Sequence, residues 1–256
     1  MQEAPLHYKT ISQLASLIEA KDLSPVELTE SMLARIDAVD GQYLSYATLM
    51  ADQAMESARA AETAISAGNY LGPLHGVPVA VKDLCFTKGV RTMGGAKVLR
   101  DHVPDFDATV VERLQAAGAV ILGKLNLTEG AMAGYNPEFQ IPLNPWDTGR
   151  WSGASSSGSG VATAAGLCFG SLGSDTGGSI RFPAAACGPV GIKPTWGRVS
   201  RYGVLALADS MDHIGPMTRS PADAGTMLQV RPGHAPHHPP SLPPPVPHLP
   251  AGAAQR

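Results

Sequence analysis

Cysteine is scarce in this 256-residue chain. Cys85, Cys168 and Cys187 are too few and too scattered for a disulfide framework or a cysteine-rich metal site, and they fit a reducing compartment. Charge is sparse as well, at 16% of residues, and 19 Lys+Arg against 22 Asp+Glu leave a net charge of −3. Neither nucleic acid nor an anionic membrane is attracted by that balance. No stretch approaches the roughly eighteen consecutive apolar residues of a membrane span. The opening Met1-Gln-Glu-Ala-Pro lacks the basic-then-apolar layout of a secretory leader. A soluble cytoplasmic protein with no nucleic-acid and no membrane partner is the expectation. Apolar residues make up 44%, enough for a sizeable core in one large domain or two small ones.

Composition shifts sharply near the end. From Arg231 to Arg256 nine of 26 residues are proline, and none is acidic or aromatic. Proline has no amide donor and a fixed φ, so residues 230–256 are expected to be a proline-rich disordered tail after a folded region at 1–229. His234, His237, His238 and His248 fall in this tail and are read as incidental rather than metal-binding.

The upstream elements are readable from caps and periodicity. Thr10 and Gln13 have capping-box spacing before apolar Ile11, Leu14, Leu17 and Ile18. Ser24-Pro25-Val26-Glu27 repeats that signature and predicts a helix to about Val39, and Ala51–Ala67 predicts another, stopped by Gly68. Val77, Val79 and Val81 alternate as in a strand, Ala119–Leu122 is a short apolar run, and Asp107–Gly118 between them reads as a capped helix closed by glycine. Strand, helix, strand at this spacing is a crossover unit, so an α/β sheet behind a helical N-terminal region is expected.

The densest chemistry lies in Gly153–Pro183, GASSSGSGVATAAGLCFGSLGSDTGGSIRFP. A flexible linker does not run into apolar elements as this segment does. A dinucleotide-binding loop needs a strand just before it, and Asn144–Ser152 is a poor one; Thr163 also replaces the third glycine. A phosphate loop fails because Leu125 follows Gly123-Lys124, and no serine here sits in a G-x-S-x-G elbow. A serine nucleophile held by glycine amides remains. Ser179 follows Thr176-Gly177-Gly178, a turn whose amides can converge as an oxyanion hole requires. Such a serine needs a base. His7, His75, His102 and His213 lie in no recognisable motif and read as structural or surface residues. Lys82 ends the Val77–Val81 strand, where burial would make its neutral amine available. A strand-end lysine paired with Asp83 is the alternative, and spacing alone leaves both open.

At these residues the chain resembles the amidase signature family of serine hydrolases. Gly153–Pro183 agrees with that family's signature within its allowed variants. Gly72–Asp83, Gly123–Asn126, Asn144–Asp147 and Gly188–Arg219 add support, so the resemblance spans about Thr10 to Leu228. It implies a mixed β-sheet covered by helices and a Ser–cis-Ser–Lys triad, with Ser179 as nucleophile, Ser155 as bridging serine and Lys82 as base. It further implies a cis peptide bond at Ala154–Ser155, an oxyanion hole at Thr176, Gly177 and Gly178, and bracing of the turn by Asp175 and Arg181. No metal or other cofactor is implied, and the substrate is a small amide cleaved at a C–N bond other than a peptide bond, through an acyl-enzyme. Ala154 and Ser157 stand where the family usually has glycine. Members are typically much longer, so a truncated fold with an incomplete C-terminal half is expected, with homo-oligomerisation through the surface so exposed. The same motifs leave three other readings open: an esterase, a non-catalytic fragment, and the amidase subunit of a tRNA-dependent amidotransferase.

Overall fold

The computed structural model describes residues 5–132 and 134–230. Helix α1, Ile11–Glu19, opens on a complete capping box, Thr10 accepting from the Gln13 amide while the Gln13 side chain accepts from the Thr10 amide. Its buried face is Ile11, Leu14, Ala15 and Ile18. Each large aliphatic there contributes about 1.5–3 kcal/mol on burial. Helix α2, Pro25–Val39, has Ser24 accepting from the amides of Val26 and Glu27, and proline at its first position, where no amide partner is lost. The second half of the expected box is replaced by a long-range bond, because the Ser24 hydroxyl donates to Glu62 on α3, Ala51–Ser66. Helix α3 turns Ala54, Ala58, Ala61 and Ile65 inward.

Six strands follow the order β1-β3-β2-β4-β6-β5, where β1 is Tyr46–Leu49, β2 Pro78–Lys82, β3 Val120–Leu125, β4 Gly170–Asp175, β5 Val190–Gly191 and β6 His213–Thr218. Strand β2 pairs in parallel with both β3 and β4, and the outer pairings are antiparallel. The sheet is mixed, and four further helices accompany it: α4 Thr109–Ala116, α5 Ser157–Ala164, α6 Arg181–Cys187 and α7 Pro221–Val230. The expected crossover is present as β2-α4-β3. Asp107, however, is not the cap of α4. Its carboxylate accepts the Lys88 amide at 2.7 Å, and Ala108 holds the cap position with no side-chain bond.

Strands β2, β3, β4 and β6 are buried at every position, as expected of strands covered on both faces. β4, Gly-Ser-Leu-Gly-Ser-Asp, has poor intrinsic strand propensity, and its sequence is explained by close neighbours. A Cβ on Gly170 would lie 2.3 Å from Met227 Sδ of α7. Ser171 and Leu172 bind α5 through hydroxyls: Ser159 donates to the Leu172 carbonyl at 2.8 Å, and Thr163 and Ser171 share a bond of 2.8 Å. Pairing of Val81 with Leu172 sets the carboxyl ends of β2 and β4 side by side, where open α/β sheets place their ligand crevice. Of the expected tail at 230–256, Val230 is instead the last residue of α7, and 231–256, with its four histidines, lies outside the described residues.

Candidate active site

Lys82, the last residue of β2, is fully buried and points at three hydroxyls. Its Nζ lies 2.6 Å from Ser155 Oγ, 2.9 Å from Ser156 Oγ and 2.8 Å from Ser174 Oγ. Burial disfavours the ammonium and pulls Lys82 down to about 7, against the opposing influence of Cys85, Asp175 and Asp212. Neutral amine is therefore abundant near neutral pH. Ser156 spends its own hydrogen on the Ser174 carbonyl and accepts the Ser174 amide, which ties the start of α5 to the end of β4. The sequence assigns no role of their own to Ser156 and Ser174. Their only signal is position, one next to Ser155 and the other next to Asp175.

The strand-end alternative for Lys82 is overturned. Asp83 faces away from it toward Lys124, with Oδ1 and Nζ 3.6 Å apart and both side chains sealed from solvent. Lys82 ends β2 and Asp83 begins the turn that follows, and the two side chains reach different partners. Lys124 also donates to the Cys85 carbonyl and to Thr92 Oγ1, each at 2.6 Å. Burial raises Asp83 to about 6 and lowers Lys124.

The Ala154–Ser155 peptide bond is cis. Ser155 and Ser179 open onto one cavity of about 380 Å³ with Gly177, Met132, Trp151 and Phe182 in its wall. The Ser156 amide donates to the Ser179 carbonyl at 3.1 Å, holding the two serine segments together. Among the described residues, Ser155 Oγ and Ser179 Oγ make no hydrogen bond to each other, so the structure contains the Lys82–Ser155 link and not the Ser155–Ser179 link.

Asp175 organises the turn carrying Ser179. Its carboxylate accepts the Gly178, Ile180 and Arg181 amides at 2.8, 3.1 and 3.3 Å, and the Arg181 guanidinium through two bonds of 3.0 Å. Burial pushes the carboxyl up, but the guanidinium and the three amides outweigh it and hold Asp175 below its ordinary value. The Gly178 N–H is committed to Asp175, because the turn is closed from within. Thr176 gives its hydroxyl to Asp212 at 2.5 Å and lines a separate cavity of about 30 Å³ with Ser174 and Asp212. Gly177 and Ser179 are the residues of this turn that face the Ser155 cavity. Gly178 has φ +135°, and a Cβ there would meet the Phe182 ring at 2.3 Å, so this position excludes other residues.

The histidines stand apart from this cavity. His75 accepts the Leu71 amide, and His213 Nδ1 lies 3.1 Å from the Asp175 carbonyl and 2.6 Å from that of Met211. Among the described residues no group of three or more His, Cys, Asp or Glu side chains could hold a metal ion, and no helix is long and apolar enough to cross a membrane.

The family model described as Amidase matches residues 27–256. A Mycobacterium tuberculosis protein named AmiD is 56% identical over 244 residues, covering 95% of this chain and 51% of that protein. A glutamyl-tRNA(Gln) amidotransferase subunit of Moorella thermoacetica is 50% identical over 244 residues, covering 94% of this chain and 50% of that protein. The chain thus spans about half the length of the curated relatives it matches. The solved native peptide amidase from Stenotrophomonas maltophilia superposes with a TM-score of 0.90 at 36% identity, over 94% of this chain and 52% of that one.

Proposed function

The chain belongs to the Amidase family of amide-acting hydrolases, and from that premise we propose that it cleaves carboxylic amides through an acyl-enzyme on Ser179. The observation that carries the reading is Lys82, an amine drawn down to about 7 by burial and held 2.6 Å from Ser155 Oγ. Neutral Lys82 takes a proton from Ser155 as Ser155 takes one from Ser179, whose oxygen bonds to the substrate carbonyl carbon. The Ser155–Ser179 contact forms when substrate aligns the nucleophile, since such bonds are often loose in the free enzyme. Developing negative charge is met by the Gly177 and Ser179 amides. The relay in reverse delivers the proton to the departing nitrogen as the C–N bond breaks. Water then hydrolyses the ester on Ser179 by the same route. Asp175, clamped by Arg181, is the positioning residue that keeps the turn in shape.

The test is labelling of the 256-residue chain with a fluorophosphonate, which forms a covalent bond to an activated serine. Labelling at Ser179, lost in Ser179→Ala and strongly slowed in Lys82→Met, supports the reading; a folded, unlabelled chain overturns it. Matched anilide and phenyl ester substrates then separate amidase from esterase action, because an acyl-serine route serves both. A second reading rests on the 50% identity to a glutamyl-tRNA(Gln) amidotransferase subunit. In that case the chain acts on glutamine within a complex, and isolated chain with glutamine should release no ammonia until companion subunits are supplied.

A further inference from the structure

The wall of the Ser179 cavity is uncharged. Besides Ser155, Gly177 and Ser179 it presents Met132, Trp151, Phe182 and Leu207 together with two alanines, and no lining residue among those described carries a charge. Charges adjoining the wall are already committed. Arg181 is clamped to Asp175, and Arg150 pairs with Asp147. Asp212 receives the Thr176 hydroxyl and the amides of Leu207 and Ala208. Glu129, close to the alanine at 131, receives the Asn136 amide group. A charged substituent entering this cavity would lose hydration and find no counter-charge.

The aromatic side chains make the opposite offer. Trp151 and Phe182 are 60% and 50% exposed, with ring centroids 6.1 Å apart at 46°, so two apolar faces border the nucleophile and remain open to solvent. Met132, 61% exposed, adds a side chain able to adapt to varied shapes. At about 380 Å³ the cavity is large enough for a ring beside a carboxamide.

Building on the hydrolase reading above, we propose that the substrate class is the uncharged carboxamide bearing an aromatic or bulky apolar group, seated against Trp151 and Phe182, and that zwitterionic amides such as free glutamine are rejected. Binding is read separately from chemistry by equilibrium dialysis of benzamide, phenylacetamide, propionamide and glutamine against the parent chain and Ser179→Ala. The aromatic amides bind at least about tenfold more tightly than glutamine, a difference of about 1.4 kcal/mol. Trp151→Ala weakens phenylacetamide about fivefold or more and leaves propionamide within about twofold. Phe182→Leu, which preserves packing beside Gly178, shows the same selectivity to a smaller degree. Equal affinity for glutamine, or equal losses for phenylacetamide and propionamide, overturns the proposal. Selective binding without fluorophosphonate labelling would instead sink the hydrolase reading and leave the cavity's preference for uncharged aromatic amides as a binding property alone.

Discussion

Asp83, in the turn after β2, and Lys124, on β3, face each other 3.6 Å apart and out of reach of solvent. Breaking a buried pair leaves the surviving charge uncompensated, at a cost of about 3–5 kcal/mol. Lys124→Met and Asp83→Asn are each expected to lower urea-unfolding stability by about that amount. The double variant loses less than the two single costs together, and strict additivity would show that the groups do not act as a pair.

In the proposed relay, Lys82 sets a pH dependence of activity. Its proton leaves at about 7, and the relay needs the neutral amine. kcat/KM for a neutral amide should therefore climb tenfold per pH unit below about 7 and level off above it. Lys82→Met is expected to lower the rate by about 10³-fold and to abolish that limb. A variant keeping the limb would assign it to another group.

The same residue leaves a mark on stability. Its value falls from 10.5 in the unfolded chain to about 7 in the fold, so between these values the unfolded chain holds more protons. Stability contributed by this group therefore rises with pH from about 7 to 10.5, and its burial cost is full below 7. The shift corresponds to about 5 kcal/mol. Urea unfolding of the parent and of Lys82→Met should converge or cross over that window; parallel pH curves would contradict the buried, neutral lysine.

Asp175 predicts an asymmetric pair of variants. Asp175→Asn weakens bonds to three amides and to a guanidinium, whereas Arg181→Ala leaves the three amide bonds in place. Because Arg181 is half exposed, its ion pair is discounted for solvent screening. Asp175→Asn is expected to cost about 2–3 kcal/mol and Arg181→Ala about 1 kcal/mol or less, both by urea unfolding. A larger loss in Arg181→Ala would show that the guanidinium, not the amides, holds the turn.

Much of this was legible in residues that speak locally. The Thr10–Gln13 box, the proline at the start of α2 and the alternation around Val79 each act within one turn or one strand, and the structure reproduces them. The glycine and serine run at 153–183 was legible as chemistry but not as elements, because β4 violates strand propensity to admit α5 and α7 at close range. Contacts across the fold were not legible. Asp107 looks like a helix cap and instead receives the Lys88 amide. Lys82 and Asp83 look like neighbours, yet the strand ends between them and they reach different partners. β1, β5 and β6 carry too little periodicity of their own and are defined by pairing.

The three hydroxyls around Lys82 also give the site a polarity. Ser156 has its hydrogen on the Ser174 carbonyl, so toward the lysine it can only accept. An ammonium has three hydrogens and satisfies all three oxygens; a neutral amine has two, and its lone pair must then receive a hydrogen from Ser155 or Ser174. When Ser155 supplies it, the free lone pairs of Ser155 are left for an incoming proton from the cavity side. Loss of one proton from the lysine thus turns one of these two hydroxyls toward the amine, and when it is that of Ser155 the proposed relay has a direction of travel before any substrate arrives.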